Sequence, residues 1–327
     1  MNDIPFDDIT YLSLNAFREP IANVRWYLNR YCNYECSYCW PLAHQKEKDF
    51  LKKEEYLITI HEIIKQLTDN GFPNINWGFG GGEVTFNPSF LDILNEIQLY
   101  CSDENKMTTN LITNLSQSIK WWDEFIKNTE KFYMTMINAS LHNEYINTEE
   151  KRILFRDKLI HLRNSGVKTK VNIVLLPGNF ENTKRDVDFF NEKDIFVNVK
   201  SCRENRKIVE GYTKEELEFI KEGNGYTKQN NDQNMYLKDK NDNEYNLRST
   251  EQLLVSNFIS YKDWNCTAGF QSVTIHKDGT VYRGTACRKD EILGHIKTGF
   301  SLHKKVEKCI QEQVCDCVAD LKMPKWK

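Results

Sequence analysis

The stretch Arg30-Tyr-Cys-Asn-Tyr-Glu-Cys-Ser-Tyr-Cys-Trp40 decides how the chain is read, because it sets Cys32, Cys36 and Cys39 in the spacing C-x3-C-x2-C. Three thiolates this close in sequence mark a metal site. Structural zinc sites close a tetrahedron with four ligands, often from C-x2-C pairs, and no fourth Cys or His of suitable spacing stands nearby. One coordination position is therefore left open. A [4Fe-4S] cluster held by three cysteines has one iron free to bind another molecule, which makes it a place for chemistry as well as for electron transfer. A zinc clip is the alternative.

Outward from the loop, Asn23 to Leu28 has strand composition, so the cysteines follow the C-terminal end of a first strand, where α/β barrels place their chemistry. Tyr56, Leu57, Ile60, Ile63, Ile64 and Leu67 recur near helical spacing within Lys52 to Asn70, and Gly71 and Pro73 stop that helix. A second strand, Ile75 to Phe79, runs into Gly80-Gly81-Gly82-Glu83, where backbone N–H groups can approach a ligand with no side chain in the way. Strands then alternate with helices: Lys106 to Thr109, Phe132 to Ala139, Lys168 to Leu175 and Phe196 to Lys200 against Ser89 to Tyr100, Ser116 to Asn128, Glu149 to Ser165 and Thr183 to Asn191. Six such units from Asn23 to Lys200 predict a parallel sheet.

The cysteine spacing, with aromatic Tyr38 just before Cys39, resembles the signature of the radical SAM superfamily, and Gly81-Gly82-Glu83 resembles its GGE motif, although Val84 stands where that family usually has Pro. The resemblance implies a fold class of α/β, a partial (β/α)6 TIM-like barrel, and a cluster whose free iron is chelated by S-adenosylmethionine. One electron, from an external donor of flavodoxin or ferredoxin type, then cleaves the sulfonium to methionine and a 5'-deoxyadenosyl radical. It also implies that Gly81, Gly82, Glu83 and Tyr38 lie against the cofactor. Polar residues at strand ends are further candidates: Asn110 after the third strand, Ser140 after the fourth, and Asn172 within the fifth. Ser140 also reads as a turn serine. His142 reads as a solvated or capping histidine.

Past Cys202 the composition changes. Residues 203–262 form a polar linker or insertion with a helix over Lys214 to Lys221 and a hairpin over Met235 to Leu247, after a barrel segment of residues 1–202. Residues 263–327 carry Cys266, Cys287, Cys309, Cys315 and Cys317, with a hairpin about Asp278-Gly279 between the first two. This resembles the Twitch/SPASM extension of the superfamily in compressed form, a small cysteine-rich α+β extension. It implies one auxiliary [4Fe-4S] cluster on Cys266, Cys287, Cys315 and Cys317, with Cys309 competing as fourth ligand and structural zinc as the alternative. Cys202 reads as a candidate hydrogen-atom donor at the mouth or as a small buried residue, and Cys101 as a helix-end packing residue.

The 327 residues suffice for one large α/β domain with an appendage, and 40% hydrophobic with 28% charged residues is ordinary for a globular core. A net charge of -3 gives no electrostatic reason for a nucleic-acid partner, and neither a secretory signal nor a membrane-spanning apolar run is visible. Ten cysteines, with C-x3-C-x2-C and a later C-x-C that imply metallated thiolates, fit a reducing, cytoplasmic compartment. With the first barrel strand expected near Asn23, an N-terminal peptide-binding module is not expected. The expected reaction is hydrogen abstraction from a small polar substrate of carbohydrate or aminocyclitol type, leading to oxidation or epimerisation. A peptide substrate is the alternative, and a two-cluster electron-transfer protein the further one.

Overall fold

The computed structural model describes residues 4–14, 20–39, 48–204, 207–222, 235–247, 249–287, 291–312, 314–315 and 317–327. Strand β1 (Ile9–Leu14) precedes β2 (Ala22–Asn29), and the expected alternation follows: α1 (Lys53–Asp69), β3 (Ile75–Gly81), α2 (Phe90–Gln98), β4 (Met107–Thr113), α3 (Ile119–Lys127), β5 (Met134–Leu141), α4 (Glu149–Asn164), β6 (Lys168–Leu175), α5 (Phe180–Asn191) and β7 (Phe196–Ser201). The helices begin where side chains take up orphan N–H groups. Glu55 accepts from the Lys52 N–H at 2.9 Å, and the Ser118 hydroxyl accepts from the Trp121 N–H at 3.3 Å. Helices α1 and α4 end against Gly71 and Gly166 at φ 89° and 87°, a conformation glycine adopts without strain.

Strands β2 to β7 pair in parallel and in sequence order, so the molecule is α/β with a parallel sheet core. Their two faces differ in chemistry. Val24, Trp26, Ile75, Trp77, Ile137, Val171 and Val199 are buried under the helices on the convex face. On the opposite face the alternate residues are polar: Arg25 and Tyr27 on β2, Asn76 on β3, Asn110 on β4, Asn138 and Ser140 on β5, Lys170 and Asn172 on β6, Asn198 and Lys200 on β7. Asparagines bridge neighbouring strands there, Asn76 Nδ2 to Asn23 Oδ1 at 3.0 Å and Asn198 Nδ2 to Asn172 Oδ1 at 3.1 Å, and Asn138 donates to Asn110. The sheet curls about this face. Strands β2 and β7 are five places apart, on the order of 24 Å in a flat sheet, yet Arg25 and Lys200 repel one another across it.

Two strand ends run further than the sequence reading placed them. Asn110 and Ser140 lie within β4 and β5, not beyond them, because the pairings Ile112↔Asn138 and Ser140↔Asn172 continue the ladders. The hairpin about Asp278-Gly279 is not detached from the core. Its first strand, Ser272–Ile275, pairs in parallel with β2 and extends the same sheet, followed by antiparallel Thr280–Tyr282, Ile292–His295 and Gly299–Phe300. A second, six-stranded antiparallel sheet joins β1 to Met235–Asp239 and Glu244–Leu247 on one side and to Lys325–Trp326, Asn265–Cys266 and Glu307–Lys308 on the other. Both sheets thus cross the boundaries at 202 and 262 expected from composition. Strand β1 escaped sequence reading because its pairing partners lie more than two hundred residues away. No helix among the described residues is long and apolar enough to cross a membrane.

Candidate functional site

The cysteine loop leaves β2 and is bound to the end of β3 by backbone. Gly82 N–H donates to Asn29 O at 2.8 Å and Glu83 N–H to Tyr31 O at 2.7 Å. Gly81, at φ 131°, faces the Asn29 carbonyl, and Gly82 faces the Arg30 and Tyr31 carbonyls, so closely that a Cβ at either position would collide with that backbone. This corrects the sequence reading of the glycine run. The N–H groups of Gly82 and Glu83, expected to be open to a ligand, are spent on seating the cluster loop. Glu83 is wholly buried, its carboxylate accepting from Thr85 Oγ1 at 2.7 Å, Thr113 Oγ1 at 2.8 Å and Asn114 N–H at 2.6 Å. Burial raises its pKa while these donors oppose the rise. Glu83 therefore ties the end of β3 to the end of β4.

Two of the three thiols have hydrogen-bonding groups beside them. Cys32 Sγ accepts from the Tyr34 N–H at 3.4 Å and faces Asn114 Nδ2 at 3.9 Å. Cys36 Sγ lies 3.2 Å from His142 Nδ1, and the Cys39 N–H donates to Cys36 O at 3.0 Å. Burial pushes the Cys36 thiol up to about 12, with Cys39, Glu144 and Cys32 adding to the rise. A cationic cluster reverses that penalty by binding the thiolate, and proton release accompanies it. Donors aimed at sulfur, one short loop and an open strand-end position fit a [4Fe-4S] cluster. Among the described residues no three His, Cys, Asp or Glu side chains converge on a point that would hold one ion. Ligands of a four-iron cluster each hold a separate iron, so such thiols line a volume.

Sequence reasoning missed the clamp on this loop, which comes from the segment after β5. His142 was expected to be solvated or capping, and it is instead turned onto the loop: its Nδ1 is 3.1 Å from Tyr38 Oη as well as beside Cys36, and burial pulls its pKa down to about 4, leaving a neutral imidazole. Glu144 accepts from the Ser37 N–H at 3.0 Å and from the Ser37 hydroxyl. The Tyr145 ring stacks on Tyr34 at 4.0 Å, and its hydroxyl accepts from the Glu35 N–H at 2.6 Å. A polar cluster so soon after a strand end, H-N-E-Y at 142–145, was the available signal. Asn110, Ser140 and Asn172 all lie on the concave face below this loop. Cys202 follows β7, its N–H donating to Tyr212 Oη at 2.7 Å, and its thiol is felt electrostatically by Tyr38. Cys101 packs at the end of α2, as expected.

The second cysteine group gathers around a small cavity lined by Cys266, Cys287, Cys309 and Cys315 together with Tyr261, Asp320 and Met323. Cys317 is not among its walls. It caps the last helix, Val318–Leu321, and its sulfur lies 3.9 Å from Tyr27 Oη on the concave face. Of the expected set, Cys266, Cys287 and Cys315 line the cavity, and so does the competing Cys309. The physical reason is pairing: the Cys309 N–H donates to Trp264 O at 2.8 Å, which holds Cys309 beside the strand that carries Cys266. Buried Asp320 accepts from the Thr285 N–H at 3.0 Å and from the Ala286 N–H, holding the turn that leads to Cys287.

A parallel sheet of βα units with a three-cysteine cluster loop at its C-terminal edge defines an iron–sulfur enzyme built around an open iron. The chain belongs to the radical SAM superfamily, whose model matches residues 26–190; members bind a [4Fe-4S] cluster and S-adenosylmethionine. It is 30% identical over 130 residues to a probable GTP 3',8-cyclase of Thermococcus kodakarensis, covering 39% of this chain and 38% of that protein. It is 25% identical over 184 residues to the GTP 3',8-cyclase of Staphylococcus haemolyticus, covering 54% and 53%. The chain thus matches between about a third and a half of the length of these relatives. Among solved structures, native anSMEcpe with bound AdoMet is similar at a TM-score of 0.53 and 17% identity, covering 86% of this chain and 79% of that one. The same protein with bound AdoMet and Kp18Cys peptide gives 0.56. At such identity the likeness concerns the fold.

Proposed function

We propose that this chain reductively cleaves S-adenosylmethionine and directs the radical at a C–H bond of a small polar substrate held on the concave face of the sheet. The observation that carries this is that the cluster loop, seated on the ends of β2 and β3 and clamped from the end of β5, stands over the one face of the sheet lined with polar side chains. When bound, the cluster supplies the electron that breaks the sulfonium bond, drawn from an external donor of flavodoxin or ferredoxin type. Cys32, Cys36 and Cys39 hold it, while Asn114, the Tyr34 N–H and His142 orient the sulfurs. By the family resemblance Tyr38, Gly81 and Gly82 would border the methionine end of the cofactor, and Asn110, Ser140 and Asn172, on the concave face, would bind its ribose or the substrate. Residues 263–327 hold an auxiliary [4Fe-4S] cluster on Cys266, Cys287, Cys309 and Cys315.

The substrate radical would then be oxidised, passing an electron to the auxiliary cluster and a proton to solvent, or quenched by a hydrogen atom from a thiol. Quenching by a thiol requires a sulfur near the mouth, which Cys202 supplies, and it yields an epimer; oxidation leaves a product lighter by two hydrogens. An amine-bearing aminocyclitol fits poorly, because Arg25, Lys170 and Lys200 share the concave face. The anaerobically reconstituted protein, reduced with dithionite, is expected to form 5'-deoxyadenosine, read by chromatography. Absence of that product from a preparation with full iron content would overturn the reading in favour of an electron carrier. Deuterium taken up from D2O and lost in Cys202→Ala selects epimerisation.

A further inference from the structure

Leu115 holds a backbone conformation that its side chain disfavours. It lies just past the end of β4 at φ 59°, in the left-handed region, with its side chain buried. The other non-glycine residues at positive φ among those described, Asp194, Asp242, Asn257 and Asp263, have short polar side chains that tolerate this conformation, and leucine does not. Strain of this kind persists only where surrounding contacts hold it, and it gathers at functional sites.

The contacts come from two sides. On the sheet side the Asn114 N–H donates to Glu83 Oε2 at 2.6 Å, the Leu115 N–H to Thr113 Oγ1 at 3.0 Å, and Gln117 Nε2 to Thr85 O at 3.0 Å. On the helix side Lys158 of α4 reaches across, and its Nζ donates to Leu115 O at 3.0 Å and to Gln117 O at 2.7 Å. This ammonium is half-buried, and burial alone lowers its pKa, with no carboxylate among the described residues set against it. Its partners are the two carbonyls that flank Ser116, so what it holds is the course of the turn.

The turn presents the Asn114 side chain. Its Oδ1 accepts from the Ser116 N–H at 3.0 Å, which leaves the two hydrogens of the amide nitrogen for the cysteine loop, with Asn33 Oδ1 at 2.8 Å and Cys32 Sγ at 3.9 Å. From this geometry we infer that Lys158 is a positioning residue of the cluster site, holding the Leu115 turn so that Asn114 is aimed at Asn33 and at the Cys32 sulfur. The inference rests on the reading of the loop as the seat of the [4Fe-4S] cluster. A hydrogen bond to a ligating sulfur stabilises the added negative charge of the reduced cluster. Loss of that aim therefore lowers the reduction potential, and a donor of given potential then reduces less of the cluster. The segment from β5 through α4 thus acts on the loop twice, directly through His142 and, through Lys158, by way of the turn after β4.

The test is a redox titration, followed by electron paramagnetic resonance, of the anaerobically reconstituted protein and of Lys158→Met, Lys158→Arg, Asn114→Leu and the double variant Lys158→Met/Asn114→Leu. The loop cluster is told from an auxiliary one by the change in its signal when S-adenosylmethionine is added. Lys158→Met should lower the midpoint of that cluster by about 59 mV, a tenfold loss of the reduced form at fixed potential. Lys158→Arg should keep the parent value, and the double variant should fall no further than Asn114→Leu alone. An unshifted midpoint in Lys158→Met overturns the inference, and so do shifts that add in the double variant. A lysine that merely stabilised the fold would leave the potential alone or act independently of Asn114. Iron content and far-ultraviolet circular dichroism establish that each variant is folded; if Lys158→Met is not, Lys158→Gln is titrated in its place. The apoprotein supplies a second readout: hydrogen exchange of residues 113–117 should quicken about tenfold in Lys158→Met, and unchanged exchange sinks the inference whatever the cluster does. A parent protein whose signal ignores S-adenosylmethionine sinks the cluster reading instead, and the exchange result then decides the role of Lys158 in the turn.

Discussion

The two cysteine groups of this molecule are assembled by opposite means. Cys32, Cys36 and Cys39 fall within one loop, and their geometry is set by a turn in which the Cys39 N–H donates to Cys36 O. Cys266, Cys287, Cys309 and Cys315 come from four separate segments and meet only because an antiparallel sheet and a buried Asp320 bring those segments together. A ligand set made by local sequence can be read from spacing. One made by tertiary pairing cannot, which is why Cys317, two residues from Cys315, was expected in the cavity and faces Tyr27 instead.

The strongest break in that comparison is replacement of Cys32, Cys36 and Cys39 together by Ala. It should take 5'-deoxyadenosine formation to background and lower bound iron from about eight atoms to about four. Iron and sulfide analysis checks it, and retention of all the iron would show that the loop holds no cluster. Next in size is the contrast between Cys309→Ser and Cys317→Ser. The first should lose the auxiliary iron and the second should keep it, as read by Mössbauer spectra of enriched samples; the reverse pattern would restore the ligand set that the family resemblance implies.

His142→Phe removes the imidazole beside Cys36 and Tyr38 but preserves an aromatic plug. Loss of a partner that orients a metal ligand should slow S-adenosylmethionine cleavage by about 10- to 100-fold, with the auxiliary iron unaffected; an unchanged rate would make the clamp dispensable. Glu83→Ala strips the donors of Thr85, Thr113 and Asn114 of their buried acceptor, and should lower stability by about 3 kcal/mol, read as a fall in the thermal midpoint. The smallest expected effect lies far from both cysteine groups. Asp239 accepts from the N–H groups of Asn241 and Asn243 at 2.8 and 3.0 Å, and these partners, the Asn243 side chain foremost, hold its carboxyl below the usual range. A depressed pKa means that its contribution is complete above pH ~4 and fades as pH falls further. Asp239→Asn should therefore lower the midpoint by a few degrees at pH 6, with the difference narrowing in acid.

The convex face of the sheet was legible because burial under helices demands apolar residues at alternate positions, and Val24, Trp26, Val171 and Ile173 announce it. The glycine run was legible as a close approach, but what approaches it, the carbonyls of Asn29 to Tyr31, was not. The paired role of Asp320 was invisible and the His142 clamp showed only as a polar run, since a polar residue in a loop reads the same whether it meets solvent or a thiol.

Local order is what the sequence by itself determined: six βα units, the C-x3-C-x2-C loop at the first strand end, and hence an open iron at the edge of a parallel sheet. Each depends on residues within a few positions of one another, through turn geometry, periodicity and ligand spacing. Tertiary structure alone decided that Ser272–Ile275 joins the sheet beside β2 and that Cys309 and not Cys317 lines the cavity. Those outcomes depend on which distant strands pair and how far the sheet curls. Such long-range choices are fixed by the packing of the whole chain and leave no pattern in any short stretch of it.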